Sequence, residues 1–167
     1  MHRVQPIDHR QMSVATQIHA ILVLAHAQEA EVLSLPASTP LTKTVEEIRA
    51  SPEFFLGLHA GPQLLGVLSV APDEDPRQLC ICLLVVLPSH QRQGVGQALV
   101  AAALLRGQGA TFCVVTGARN APALALYHQL GSVTCQHGTL GTELLPVVKL
   151  RREPRSLLSA SAHESAP

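Results

Sequence analysis

Residues 85–99 read VVLPSHQRQGVGQAL, and this stretch decides the fold. Upstream of it, residues 79–87 are aliphatic and β-branched without polar alternation, the pattern of a strand buried on both faces. Pro88 ends that strand. Gly94 and Gly96 carry no Cβ, so the backbone from Gln91 to Gln97 can approach a bulky ligand and aim consecutive N–H groups at it. The helix expected next, over 97–106, adds its unpaired N-terminal donors and the positive end of its dipole. A strand, a glycine turn and a helix start in this order suit a phosphate, although two glycines can also serve only to make a tight turn.

Two other glycine loops are excluded. Position 99 is Leu, so the third glycine of GxGxxG is missing, and no Gly-Lys-Ser/Thr follows. The longer string Val86-x-Pro88-x-x-Gln91-x-x-Gly94-x-Gly96-x-Ala98-Leu99 resembles the acetyl-CoA signature of the GNAT family of N-acetyltransferases, whose core is Gln/Arg-x-x-Gly-x-Gly/Ala. A second block, Asn120-x-x-Ala123-x-x-x-Tyr127-x-x-x-Gly131, is similar to that family's other cofactor-side motif. The two blocks together cover residues 79–131.

Composition narrows the alternatives. A chain of 167 residues is one domain with a core of ordinary size, here placed at residues 1–150 with a polar, Ser- and Ala-rich tail over 151–167. Twelve Lys and Arg balance twelve Asp and Glu, which gives no support for nucleic acid as a partner, and only 2% aromatic residues leaves few stacking platforms. No apolar run reaches membrane-spanning length, and residues 20–27, which could mimic a secretory core, read as part of a helix. Cys80, Cys82 and Cys113 lie in strand-like runs, and Cys135 is the fourth cysteine; a reduced, cytoplasmic setting is expected. Cys80 and Cys82 face one side of a strand, a spacing that can serve a metal but that small buried side chains also produce, and no metal is expected. The nine histidines are scattered without ligand spacing.

In chain order the pattern predicts a strand over 1–7, then a helix from Ser13 with Val14, Ile18, Ile21, Leu22 and Ala25 on one face, capped by Asp8 or Ser13. A loop over 36–40 follows, then a short helix through Ala50 opened by a Thr44/Glu47 capping box. Strands at 53–59 and 63–70 flank Ala60-Gly61-Pro62, and 71–77 is an exposed acidic loop. After the glycine turn and its helix come a strand at 111–116 parallel to 79–87, a helix at 121–130 with Gly131 beyond its end, and a closing antiparallel pair at 132–137 and 144–150. This is a mixed α/β fold, and the resemblance implies a GNAT-like central sheet of six to seven strands, flanked by four helices, with its two central strands splayed apart.

The resemblance also implies a chemistry. Acetyl-CoA is the expected cosubstrate, with its pantetheine on backbone groups of Val85, Val86 and Leu87 and its pyrophosphate on the turn of Gln91, Arg92, Gln93, Gly94, Val95, Gly96 and Gln97. Arg92 is a phosphate partner or a plain surface arginine. Asn120 and Ala123 would tie the second splayed strand to the cofactor, and Asn120 also suits a helix cap before Pro122. Tyr127, the only tyrosine, would face the thioester and protonate the departing thiolate, its alternative being a core tyrosine.

The expected reaction is direct attack of a neutral amine on the acetyl carbonyl in a ternary complex, with an N–H near Val86 stabilising the oxyanion. Neutralising an alkylammonium at pH 7 costs roughly 4 kcal/mol, so a base helps. Many members of the family carry a glutamate where this chain has Cys80. His59, His90, Glu53, Asp73 and Glu74 are the substitutes to examine. The acceptor is expected to be a small amine, an amino-sugar or a peptide amine, its site walled by the first two helices, with a homodimer compatible with the resemblance. The alternative reading is a non-catalytic acyl-CoA-binding or sensing domain.

Overall fold

A computed structural model describes residues 2–32, 43–142 and 144–155. It contains β1 (Val4–Pro6), α1 (Met12–Val32), α2 (Val45–Ala50), β2 (Phe54–Ala60), β3 (Gln63–Pro72), β4 (Gln78–Val86), a 3-10 turn (Pro88–His90), α3 (Val95–Arg106), β5 (Thr111–Gly117), α4 (Ala121–Gln129), β6 (Val133–Leu140) and β7 (Leu145–Arg152). The strands form one seven-stranded sheet in the order β1-β2-β3-β4-β5-β7-β6. Of the paired strands only β4 and β5 run parallel, and α3 carries the crossover between them. The mixed α/β architecture expected from the sequence is therefore the one observed.

Two hydrophobic clusters hold the layers together. On one face α3 sets Val95, Leu99, Val100 and Ala103 against Leu56, Leu68, Ile81, Phe112 and Val114, with Tyr127 of α4 in the same cluster. On the other face α1 sets Ala15, Ile18, Ile21 and Leu22 against Phe55, Leu64, Val67 and Val85, with Ile48 of α2 beside them. Three of the five apolar α1 positions predicted to face the sheet are fully buried, and Val14 and Ala25 flank them. His9 latches this layer, donating from Nε2 to the Ser51 carbonyl at 2.8 Å with its ring stacked on Phe55 at 4.2 Å.

Several boundaries differ from the sequence pattern. Helix α1 begins at Met12, so Ser13 lies inside it and cannot cap it, while Asp8 accepts from the Arg10 N–H at 3.1 Å just ahead of the helix. The acidic loop is shorter than expected, since β3 extends to Pro72 and β4 begins at Gln78. Helix α3 starts two residues early, at Val95, because Gly94 takes the cap position with φ +83°. Strand β7 runs on to Arg152, past the expected end of the domain, pairing with Phe112 on β5. The α2 capping box is present in both directions, with Thr44 Oγ1 accepting at 3.2 Å and Glu47 Oε2 at 2.8 Å. The loop expected over 36–40 lies outside the described residues, as does the tail beyond 155.

Helix α3 approaches the sheet closely enough to leave no room for a side chain at Gly66. A Cβ there would meet Val95 Cγ1 at 2.7 Å, Leu99 Cδ1 at 3.0 Å and the Val85 carbonyl at 3.2 Å. Gly66→Ala is expected to push α3 outward, at a cost of about 1–3 kcal/mol. Urea unfolding should register that loss.

Candidate active site

The site begins where a ladder stops. Strands β4 and β5 pair at Gln78/Thr111, Leu79/Phe112, Cys80/Cys113 and Ile81/Val114, and no further. Yet β4 goes on pairing with β3 as far as Val86, and β5 with β7 as far as Gly117. The two central strands therefore diverge beyond Ile81 and Val114, each held by its outer neighbour. A β-bulge sharpens the fork, because Ile81 opposes Val70 and Leu83 opposes Ser69, leaving Cys82 as the extra residue.

The divergence turns backbone groups into the gap. Leu87 donates to the Leu65 carbonyl at 2.8 Å. By antiparallel alternation Val85 also bonds towards β3, whereas Leu84 and Val86 turn their N–H and C=O groups towards β5. On the other arm Ala118 donates to the Pro146 carbonyl at 2.9 Å, so Val115 and Gly117 face β4 by the same rule. The main-chain donors facing the gap on β4 are thus those of Leu84 and Val86 rather than Val85 and Leu87. Leu84 was not singled out from the sequence, and only the position of the ladder could have shown it.

A groove of about 800 Å³ fills the fork. Of the residues named from the sequence, Val85, Val86, Gln91, Arg92, Gly94, Val95, Gly96, Gln97, Asn120, Ala123 and Tyr127 line it. Leu87 and Gln93 do not; Leu87 packs between the two hydrophobic clusters, and Gln93 is exposed with its side chain donating to the Ser89 carbonyl. His90 lines the groove, while His59, Glu53, Asp73, Glu74 and Cys80 lie elsewhere. Three lining residues that the sequence did not flag, His26, Gln28 and Glu29, come from the end of α1.

One end of the groove is built for an anion. Arg92 has φ +63° and Gly94 φ +83°, so left-handed residues alternate along the turn and its N–H groups form a concavity ahead of the α3 dipole. A Cβ at Gly94 would meet nothing within 4 Å, and the Arg92 guanidinium has no partner among the described residues. Gln91 braces the turn, donating from Nε2 to Gln28 Oε1 at 2.8 Å and to the Val86 carbonyl at 3.3 Å.

The inner end is apolar and holds Tyr127, 4% exposed, whose hydroxyl has no partner among the described residues. Burial, with the neighbouring Cys80 adding to it, pushes that phenol above its ordinary range. Tyr127 is carried by α4, whose start is fixed by Asn120 Oδ1 accepting from the Ala123 N–H at 3.3 Å. A narrow slot of backbone donors with an anion-binding turn at its mouth and a buried phenol at its inner end fits a long cosubstrate bearing a phosphate.

The comparisons with known proteins agree with that geometry. A family model described as the acetyltransferase (GNAT) family matches residues 9–131. This chain belongs to the GNAT family. Its fold superposes on the ribosomal-protein-S18-alanine N-acetyltransferase of Escherichia coli with a TM-score of 0.72 at 15% identity, covering 100% of both chains. It is also similar to the PaiA N-acetyltransferase of Thermoplasma acidophilum in complex with coenzyme A, with a TM-score of 0.69 at 10% identity over 92% of this chain and 99% of that one. Among curated proteins it is 33% identical over 129 residues to the UPF0157 protein YqkA of Bacillus subtilis (strain 168). That match takes in 77% of this chain but only 37% of the relative, so the chain spans little more than a third of its length. Acetyl-CoA is the family's cosubstrate, and the groove's donor set fits it. No described helix is long and apolar enough to cross a membrane.

Because the Asn120 cap sets both the start of α4 and the bearing of Tyr127, Asn120→Ala is expected to cost about 1 kcal/mol of stability. Urea unfolding of the variant beside wild type measures it.

Proposed function

We propose that this GNAT domain transfers the acetyl group of acetyl-CoA to a primary amine by direct attack within a ternary complex. The observation that supports it most is the placement of Tyr127 at the inner end of a fork whose arms offer free backbone donors. Acetyl-CoA supplies an activated acetyl thioester. Arg92, Gly94, Val95, Gly96 and Gln97 would hold its phosphates, and the backbone of Leu84 and Val86 its pantetheine arm. A main-chain N–H near Val86 would receive the charge that develops on the carbonyl oxygen.

Tyr127 acts as the acid. With its hydroxyl raised well above the usual phenol range, it stays protonated at neutral pH and is poised to give its proton to the departing sulfur. The acceptor class read from the sequence, a small amine, an amino-sugar or a peptide amine, is carried forward on the same footing. A peptide-amine acceptor has a parallel in the structural neighbour named as a ribosomal-protein-S18-alanine N-acetyltransferase. A non-catalytic acyl-CoA sensor is favoured by one feature, the thiol of Cys80 where a carboxylate base would be useful.

The deciding assay follows coenzyme A release with a panel of amines, amino-sugars and peptides. Acceptor-dependent release by wild type, reduced about 10²–10³-fold in Tyr127→Phe with acetyl-CoA binding retained, is the expected result. Binding without any acceptor-dependent release would favour the sensor. Arg92→Ala should weaken coenzyme A binding by about tenfold, a loss of about 1.4 kcal/mol, in a titration whose salt dependence also falls.

A further inference from the structure

The remaining chemical question is what removes the proton from the incoming ammonium, and the place to look is the face of the fork away from Tyr127. Ile81 packs in the cluster that contains Tyr127, so Cys80 beside it projects from the opposite face. The bulge breaks the alternation at Cys82, which bonds to the Cys80 carbonyl and lies near Glu53, the carboxylate that Ser69 of β3 holds, and its partner Lys43. Cys113, the register partner of Cys80, shares that face and donates to Asp73 Oδ2 at 3.3 Å, with Lys149 Nζ 3.6 Å from the same oxygen. Three thiols are thus gathered on one side of the fork.

Cys82 stands apart from the other two. It is the bulged residue, the first on β4 beyond the last β4–β5 pair, and it is exposed. It alone of the three lines the groove. Bulges re-aim side chains, and here the bulge sets a thiol at the apex of the fork. The other titratable groups lining the groove are Tyr127, Arg119 of the β5–α4 connection, Arg92 and His90 at the glycine turn, and His26 and Glu29 at the end of α1. Glu29 lies beside Gln28, which Gln91 of the glycine turn contacts, and His90 precedes that turn with its Nδ1 hydrogen-bonded to Ser89 Oγ at 2.9 Å. Glu53, whose charge acts on Cys82, is engaged by Ser69 Oγ at 2.5 Å and by Lys43 at 3.2 Å.

We infer that Cys82 is the base of the acetyl transfer, taking a proton from the acceptor ammonium on the face of the fork opposite Tyr127. The inference rests on the acetyltransferase reading. The ammonium N–H bond breaks and an S–H bond forms on the Cys82 thiolate, freeing the nitrogen lone pair to attack. Tyr127 gives its proton to the sulfur that leaves. The second nitrogen proton restores Tyr127 through water, and Cys82 returns its own to solvent, so one proton is released per turnover. Base and acid on opposite faces keep the proton taken from the nitrogen apart from the proton given to the sulfur.

The surroundings favour a thiolate at this position. Hydrogen bonding from Cys80, helped by the Lys43 ammonium, holds the Cys82 thiol below its ordinary range against burial and the Glu53 charge. Cys80 moves the other way, chiefly through the same bond to Cys82 and through burial, with Asp73 adding to the rise. Cys82 is also the more exposed of the two, so water solvates its thiolate better than that of Cys80. When protonated, Cys82 donates to the Cys80 carbonyl at 3.5 Å.

Two measurements test this on the whole chain. Iodoacetamide alkylation, resolved by residue with mass spectrometry across the neutral to alkaline range, should modify Cys82 at lower pH than Cys135, the other exposed thiol, and bound coenzyme A should slow it. A Cys82 that reacts no more readily than Cys135, or that coenzyme A does not shield, overturns the assignment, and neither outcome depends on finding an acceptor. With an acceptor in hand, Cys82→Ala should lower kcat about 10²-fold near neutral pH, the deficit shrinking as the amine deprotonates unaided. Cys135→Ala should leave kcat unchanged. An unaltered pH–rate profile in Cys82→Ala, or an acetyl adduct on Cys82 that forms and decays as fast as turnover, would sink the proposal.

Discussion

Everything functional in this domain depends on a parallel ladder that ends after Ile81/Val114 while the antiparallel ladders outside it continue. Backbone N–H and C=O groups in a sheet need partners, and two strands that part company leave theirs facing a gap. The outer neighbours β3 and β7 pair with the arms along the gap and hold them apart. An extended ligand with its own amide groups can complete the pairing, which is how a fork in a sheet becomes a binding slot for a pantetheine arm.

The helices set the two ends of the slot. Helix α3 delivers the glycine turn, and its depth on the sheet is governed by the absence of a side chain at Gly66. Helix α4 delivers Tyr127, with Asn120 defining where that helix begins. The glycine turn and the Tyr127 hydroxyl thereby belong to different elements, each anchored in the same hydrophobic cluster against one face of the sheet. The other face, where α1 and α2 cover only the β2, β3 and β4 side, leaves Cys82 exposed beside the fork.

Much of this was legible along the chain. The glycine turn, the Thr44/Glu47 capping box and the alternation of strands and helices depend on residues within one or two turns of each other, so local chemistry suffices to read them. That the gap-facing donors are those of Leu84 and Val86, and not those of Val85 and Leu87, was not legible in this way. Which of two adjacent residues points into the fork depends on the register with β3, and no single strand encodes its partner's register. The same holds for Gln28, which reaches Gln91 across 63 positions of sequence.

The sequence by itself determined the mixed α/β architecture and the glycine turn with its flanking helices, because each rests on short-range signals of backbone freedom and hydrophobic period, while its resemblance to the GNAT motifs pointed to the family. Only the tertiary structure decided where the β4–β5 pairing ends, that Cys82 is the bulged residue at that point, and that Tyr127 and Cys82 lie on opposite faces of the fork. Pairing limits and bulges are settled by the competition between ladders on either side of a strand, and that competition exists only once all the strands are in place.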